Sequence, residues 1–256
     1  MRLAGIALHA LPGLPMVQAG DDLAALIGDA LAHAGLGLQP GDVVVMAQKI
    51  VSKAEGRVVL LADVTPTEEA AVLAARVGKD ARLVQVILDE SVRVVRSRPN
   101  LLIMEHRLGF VMANAGVDQS NVAPADGQAR ALLLPANPDA SAAALRTALA
   151  ARFGIAPGVI VNDSFGRAWR RGTAGIAIGV AGLPALRDLR GSPDLFGRTL
   201  EVSIVGFADE IAAAASLLQG QADEGQPVVL VRGLSWREAE GCAADLVRPA
   251  AEDLFR

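Results

Sequence analysis

Asp163 and Ser164 follow the β-branched triplet Val159-Ile160-Val161 and precede Phe165-Gly166-Arg167-Ala168-Trp169-Arg170-Arg171-Gly172. This order reads as a strand end, an Asn-Asp-Ser turn and a cationic wall. A hard cation such as Mg²⁺ or Mn²⁺ takes carboxylate and hydroxyl oxygens held in one place, and an Asp-Ser pair leaving a buried strand supplies both. Arg167, Arg170 and Arg171 are then placed to meet phosphate or carboxylate oxygens. An Asx turn followed by a solvated basic loop accounts for the same residues, because Asp and Ser are ordinary turn formers.

A second stretch repeats the pattern. Phe110-Val111-Met112-Ala113 is a short apolar strand, and Asn114-Ala115-Gly116-Val117-Asp118-Gln119-Ser120-Asn121 is a glycine-containing loop with an acid. Asp118, Asp163 and Ser164 together would form a hard-oxygen constellation open to either metal. Asn121 is placed to reach a sugar or phosphate oxygen. The run from Asp42 to Arg57 reads as one buried strand carrying Gln48, Lys49, Ser52 and Lys53. Two ammonium groups in such a strand call for anions, and phosphates would serve; the alternative is a solvent-facing edge. The glycine-bounded loop from Gln219 to Pro227 offers ligands to a second cation, or is simply solvated. His106 is the histidine best placed for function, although a strand-end histidine is commonly structural.

The positioning elements follow from periodicity. Strands are expected over 3–8, 101–104, 176–182, 200–205 and 228–231, with another over 92–96. Helices are expected from a cap at Asp21 or Asp22 to Gly35, from the Thr65-Pro66-Thr67-Glu68 capping box to Gly78, and over 80–89, 139–153 and 209–218. Residues 245–256 are expected to close as a short helix, residues 183–197 form an ordered excursion, and Leu11-Pro12-Gly13-Leu14-Pro15 is a rigid loop.

Composition narrows the classes. The chain has 256 residues, 52% hydrophobic and 20% charged, enough for a full-sized core. With 3% aromatics and no tyrosine, the stacking surfaces that single-stranded nucleic acid needs are scarce, and a net charge of −4 also argues against a polyanion binder. Cys242 is the single cysteine, so an internal disulfide is excluded and a reducing cytoplasm fits. The first 20 residues lack a secretory signal or membrane span. No Gly-x-x-x-x-Gly-Lys-Ser/Thr loop, Gly-x-Gly-x-x-Gly, His-Glu-x-x-His or Gly-x-Ser-x-Gly motif occurs, so phosphate chemistry here needs a less common scaffold.

Several stretches jointly resemble the coenzyme F420-0:L-glutamate ligases, the γ-glutamyl ligases of F420 biosynthesis. They are Leu11-Pro12-Gly13-Leu14-Pro15, Gln48 to Arg57, Asn114 to Asn121, Asn162-Asp163-Ser164-Phe165-Gly166-Arg167 and Gly220-Gln221-Ala222-Asp223-Glu224-Gly225. In order and spacing they cover nearly the whole chain.

The resemblance implies a single α+β domain of mixed sheets with flanking helices, a non-P-loop nucleotide fold with room for two intertwined subdomains; some relatives carry a fused nitroreductase-like domain, and none is expected in these 256 residues. It implies a GTP-dependent ligase that adds L-glutamate to the lactyl carboxylate of F420-0 through an acyl phosphate, later glutamates being γ-linked. It further implies two divalent ions (Mg²⁺ or Mn²⁺), K⁺ and a homodimer, with no nucleic acid or membrane partner. Asp118 and Asp163 would bind one metal, with Ser164 and Gln221 at the second. Leu11, Pro12, Gly13, Leu14, Gln48, Lys53, Asn121, Gln219, Gly220, Gln221, Ala222, Asp223, Glu224, Gly225 and Gln226 would contact GTP. Arg167 and Arg170 are candidate binders of a substrate carboxylate. Gln219 stands where such sequences often carry an apolar residue. The competing readings are a non-catalytic nucleotide or metal module and a related ligase for another small carboxylate.

Overall fold

The computed structural model describes residues 5–122 and 127–254. The elements begin with β1 (Ala7–Ala10), α1 (Leu23–His33), β2 (Val43–Ala47), α2 (Gln48–Ala54), β3 (Val58–Leu60) and α3 (Glu68–Val77). Next come α4 (Ala81–Asp89), β4 (Ser91–Arg98), β5 (Leu101–His106), β6 (Val111–Ala113), β7 (Arg130–Leu132) and α5 (Pro138–Phe153). The chain continues through β8 (Gly158–Gly166), β9 (Thr173–Ala181), β10 (Arg187–Asp188), β11 (Ile204–Val205), α6 (Phe207–Gln219) and β12 (Val228–Arg232). The architecture is α+β, as the sequence led one to expect.

Apolar runs without alternation belong to strands covered on both faces. Val43-Val44-Val45, Val159-Ile160-Val161 and Val228-Val229-Leu230 are such runs, and all nine residues are fully buried. They form the middle of a five-stranded mixed sheet of order β1-β12-β2-β8-β9, in which β2 and β8 run parallel. Helices α1, α5 and α6 pack on it through Ile27, Leu31, Leu145, Leu149, Phe207 and Ile211. The alanines of α6 come close because β9 carries glycine there. A Cβ at Gly175 would lie 2.4 Å from the Ala212 carbonyl oxygen, and one at Gly179 would lie 2.5 Å from Pro138.

A second core, with Leu73, Val77, Val84, Ile87, Leu102 and Met104, joins α3 and α4 to the three-stranded sheet β4-β5-β6. The Glu90 carboxylate is buried beside it, 2.8 Å from Arg57 and 3.0 Å from Arg107. His106 is fully buried in this cluster, its Nδ1 accepting the Leu108 N–H, so it serves structure and not the cavity described below.

Several expectations need correction. The Asp42–Arg57 run is not one strand: β2 stops at Ala47, and Gln48–Ala54 is helical, ended by Gly56 at φ 68°. Ile50 and Val51 bury one side of that turn, and Ser52 Oγ donates to Gln48 Oε1 one turn back. Asp163 and Ser164 are not in a turn. Strand β8 runs on to Gly166, pairing Asp163 with Ile176 and Ser164 with Gly175 past an irregularity at Val161/Asn162. The cap of α3 is Thr67, whose Oγ1 accepts the Ala70 N–H, and not Thr65. Only Ile204–Val205 of the 200–205 segment is strand. The C-terminal segment makes two short 3-10 turns at Ala243–Leu246 and Ala250–Glu252 in place of a helix; its last two residues, like residues 3 and 4 of the first expected strand, lie outside the described residues.

Candidate active site

A cavity of about 550 Å³ opens between the end of β8, helix α2, the loop before β7 and the loop after α6. Each acid reaches it by a different device. Asp163 is carried by β8. Asp118 follows three consecutive residues in the left-handed region, Asn114, Ala115 and Gly116 at φ 52°, 52° and 71°. Left-handed conformations are strained for residues other than glycine and tend to gather at functional sites. Two backbone hydrogen bonds with Leu132, of 3.0 and 2.7 Å, then pin Asp118 in place.

The electrostatics couple the two acids to one lysine. Lys49 Nζ lies 2.7 Å from Asp118 Oδ2 and 2.6 Å from Ser120 Oγ. Asp118 also accepts the Ser120 N–H at 2.8 Å, and although burial opposes it, these partners hold its carboxyl below the usual range. Asp163 behaves in the opposite way. Desolvation pushes its carboxyl up to about 6, and the like charge of Asp118 adds to this against the opposing effects of the Ser164 N–H and Lys49. Lys53 sits one helical turn beyond Lys49 on the same face, and burial together with the Lys49 charge lowers its pKa.

The loop after α6 forms the opposite wall. Gln219 points inward: Asn162 Nδ2 donates to its Oε1 at 2.6 Å, while its Nε2 reaches the Pro227 and Val45 carbonyl oxygens at 3.2 and 3.4 Å. Beyond it the chain turns at Gly220, φ 69°, where a Cβ would collide with the Glu224 carboxylate. Glu224 Oε2 accepts the Ala222 N–H at 2.8 Å, and the loop's backbone donors hold that carboxyl below its usual range. Asn121 Nδ2 reaches the Ala222 carbonyl oxygen at 3.4 Å, bridging the two walls.

The residues singled out from sequence therefore divide. Asp118, Asp163, Ser164, Gln48, Lys53, Asn121 and Leu14 line the cavity, as does the whole stretch 219–226. Leu11, Pro12 and Gly13 do not; Leu11 is buried in the main core. Arg167 and Arg170 follow the end of β8 and are not among the lining residues. Lys49, weighed from sequence with Lys53 as an ammonium calling for an anion or as part of a solvent-facing edge, also lines the cavity, and the anion it meets is the Asp118 carboxylate. Asn114, which opens the stretch singled out around Asp118 but was given no role, lines the wall, as does Thr173, which no sequence motif marked.

Among the described residues no three His, Cys, Asp or Glu side chains converge as a ready-made metal cage. Two carboxylates with a neighbouring hydroxyl are nonetheless what Mg²⁺ takes when phosphate oxygens complete its shell. The donor set fits such an ion: Asp163 has its charge disfavoured by desolvation, and an ammonium already occupies one side of Asp118.

Fold and cavity thus define an α+β protein with a charged site for a small, polar ligand. Residues 13–233 match the family model described as F420-0:Gamma-glutamyl ligase. The chain is 46% identical over 254 residues to a Coenzyme F420:L-glutamate ligase of Methanothermobacter thermautotrophicus, covering 98% of this chain and 99% of the relative. Ligases of the same name from Methanopyrus kandleri and Archaeoglobus fulgidus are 44% and 43% identical, covering 94% and 95% of this chain and 93% and 94% of theirs. The chain belongs to the F420-0:gamma-glutamyl ligase family, and it is an amide-bond-forming ligase.

Proposed function

We propose that the protein is a GTP-dependent ligase of F420 biosynthesis that joins L-glutamate to the lactyl carboxylate of F420-0 and then adds further glutamates through γ-links. The observation that carries this reading is the meeting of Asp118, Asp163, Lys49 and Lys53 in one cavity, facing the Gly220–Gly225 loop. The family description names F420-0, and the names of the relatives add L-glutamate, which supports this choice of acceptor and amino acid.

A carboxylate does not condense with an amine at a useful rate in water, so its oxygen must first become a leaving group. In the proposed first step an acceptor carboxylate oxygen bonds to the γ-phosphorus of GTP and the bond to the β-phosphate oxygen breaks, releasing GDP. In the second the glutamate amine attacks the acyl carbon, loses a proton and expels inorganic phosphate. Phosphoryl transfer depends mainly on positioning and charge neutralisation. Lys53 supplies an ammonium partly stripped of water, and the loop after α6 supplies backbone donors. Divalent ions, when bound, contribute further neutralisation of phosphate charge; Asp118 and Asp163 would hold one, Ser164 and Gln221 the second, and K⁺ belongs to the same reading.

A cytoplasmic homodimer completes the proposal. Leu195 and Phe196, 99% and 95% exposed, sit on a turn ordered by Asp194, an apolar tip of the kind a subunit contact covers. No helix among the described residues is long and apolar enough to cross a membrane.

The acyl phosphate is tested by labelling the acceptor carboxylate with heavy oxygen. One labelled oxygen per inorganic phosphate is expected. Unlabelled phosphate with labelled amide product would contradict the mechanism.

A further inference from the structure

Lys49 and Lys53 share a face of α2 but not a situation. The Lys49 ammonium is surrounded by a carboxylate oxygen of Asp118 at 2.7 Å, the Ser120 hydroxyl at 2.6 Å and the Ser120 carbonyl oxygen at 3.4 Å. Carboxylate, hydroxyl and carbonyl are the donors that a hard metal ion would use. The same ammonium lies close enough to Asp163 to favour that residue's charged form. Lys53, one turn on, has no carboxylate within ion-pair distance among the described residues, and it is a neighbour of Lys49 by charge alone.

We infer that Lys49 is a tethered counter-cation of the acidic pair: in the resting protein it occupies the cation-facing side of Asp118, and it must leave before a divalent ion can take that carboxylate. The inference rests on the proposed role of Asp118 and Asp163 as ion ligands. It follows from geometry, because Asp118 Oδ2 already accepts both the Lys49 ammonium at 2.7 Å and the Ser120 hydroxyl at 2.8 Å, and Oδ1 accepts the Ser120 N–H at 2.8 Å. An ion that takes Oδ2 must displace one of its donors, and the ammonium is the one whose charge repels it. Two acids that interact without a counter-charge repel each other, and Lys49 supplies that counter-charge. Once released, its ammonium lies one helical turn from Lys53 and is free to meet a phosphate group. Ion and nucleotide then help each other to bind, since whichever arrives first draws Lys49 from Asp118 or leaves it available. Such coupling is reciprocal by thermodynamic necessity.

The experiment titrates Mn²⁺ into nucleotide-free protein and follows the free ion by electron paramagnetic resonance. The proteins are the wild type, Lys49→Met, Lys49→Gln, Lys53→Met and Asp163→Asn, each checked for native circular dichroism. Both Lys49 variants are expected to bind Mn²⁺ roughly three- to five-fold more tightly than wild type, the scale of a partly exposed ion pair. Lys53→Met, which removes an equal charge without touching Asp118, is expected to gain less than half as much. Unchanged or weaker binding in the Lys49 variants would overturn the inference, and so would an equal gain in Lys53→Met, which would mean a general field effect. If wild type binds no Mn²⁺ that Asp163→Asn abolishes, the ion-ligand reading fails and the inference falls with it. If that binding exists and the Lys49 variants leave it unchanged, only the inference fails.

Discussion

Asn162 Nδ2 donates to Gln219 Oε1 at 2.6 Å, which ties the residue before Asp163 to the last residue of α6. Gln219 also spans the Pro227 and Val45 carbonyl oxygens, so one side chain fastens the loop after α6 to both central parallel strands. The loop holds its place against the acidic pair because a buried amide network holds its root.

Gln219→Leu should therefore act on the loop as well as on stability. It leaves the Asn162 amide without its partner and removes the tie to the Pro227 and Val45 carbonyl oxygens, at a cost of about 1–3 kcal/mol. The expected outcome in steady-state kinetics is a KM for GTP raised severalfold with a smaller change in kcat. An unchanged KM would show that the loop is held by other contacts.

Lys53→Met tests phosphate binding more directly. A charge-assisted hydrogen bond contributes about 1.5–3 kcal/mol, so the KM for GTP should rise roughly ten- to hundred-fold, with Lys53→Arg recovering part of the loss. Equal KM values for wild type and Lys53→Met would place the phosphates elsewhere.

The close approach of α6 to β9 predicts a stability effect remote from the chemistry. Gly175→Ala puts a methyl group 2.4 Å from the Ala212 carbonyl oxygen, and the helix must shift. Overpacking of this kind costs about 1–3 kcal/mol, or a Tm lower by roughly 3–10 °C in a protein of this size. Gly37→Ala, which meets nothing within 4 Å, is the control and should leave Tm nearly unchanged. Calorimetry of the two variants decides the matter.

Glu90 gives a pH dependence. Burial alone would raise its carboxyl pKa, but His106, Arg57 and Arg107 outweigh this and hold it below the usual value of 4.5. A carboxyl depressed in the folded state contributes stability that is present above its unfolded pKa and is lost as pH falls through the folded one. Glu90→Gln should thus lower Tm by about 3–10 °C at neutral pH. The gap between variant and wild type should narrow below the usual carboxylate pKa. A gap that widens in acid would reverse the assignment.

Much of this arrangement could be read from the chain because its signals are local. Valine-rich runs without alternation marked the buried strands, and glycine-bounded acidic stretches marked two cavity walls. The split at Ala47/Gln48 was harder to see. The apolar residues Ile50 and Val51 suit a strand or a short helix equally, and the choice is made by Gly56 and by the Gln48–Ser52 hydrogen bond. The expected turn at Asp163 failed for a related reason: pairing with β9 keeps Asn162-Asp163-Ser164 extended against the turn preference of those residues. The contact of Lys49 with Asp118 spans 69 positions of the chain (118 − 49), and no local pattern announces it. Arg167 and Arg170 show the converse, a basic cluster next to a cavity-lining acid in sequence but absent from the cavity wall.

The central claim is best tested by incubating the protein with GTP, Mg²⁺ or Mn²⁺, K⁺, L-glutamate and F420-0 while following GDP release and acceptor mass together. One glutamyl unit gained for each GDP released, with both lost in Asp163→Asn, is the predicted result. GDP release without a change in acceptor mass, or a full mass gain in Asp163→Asn, would contradict it.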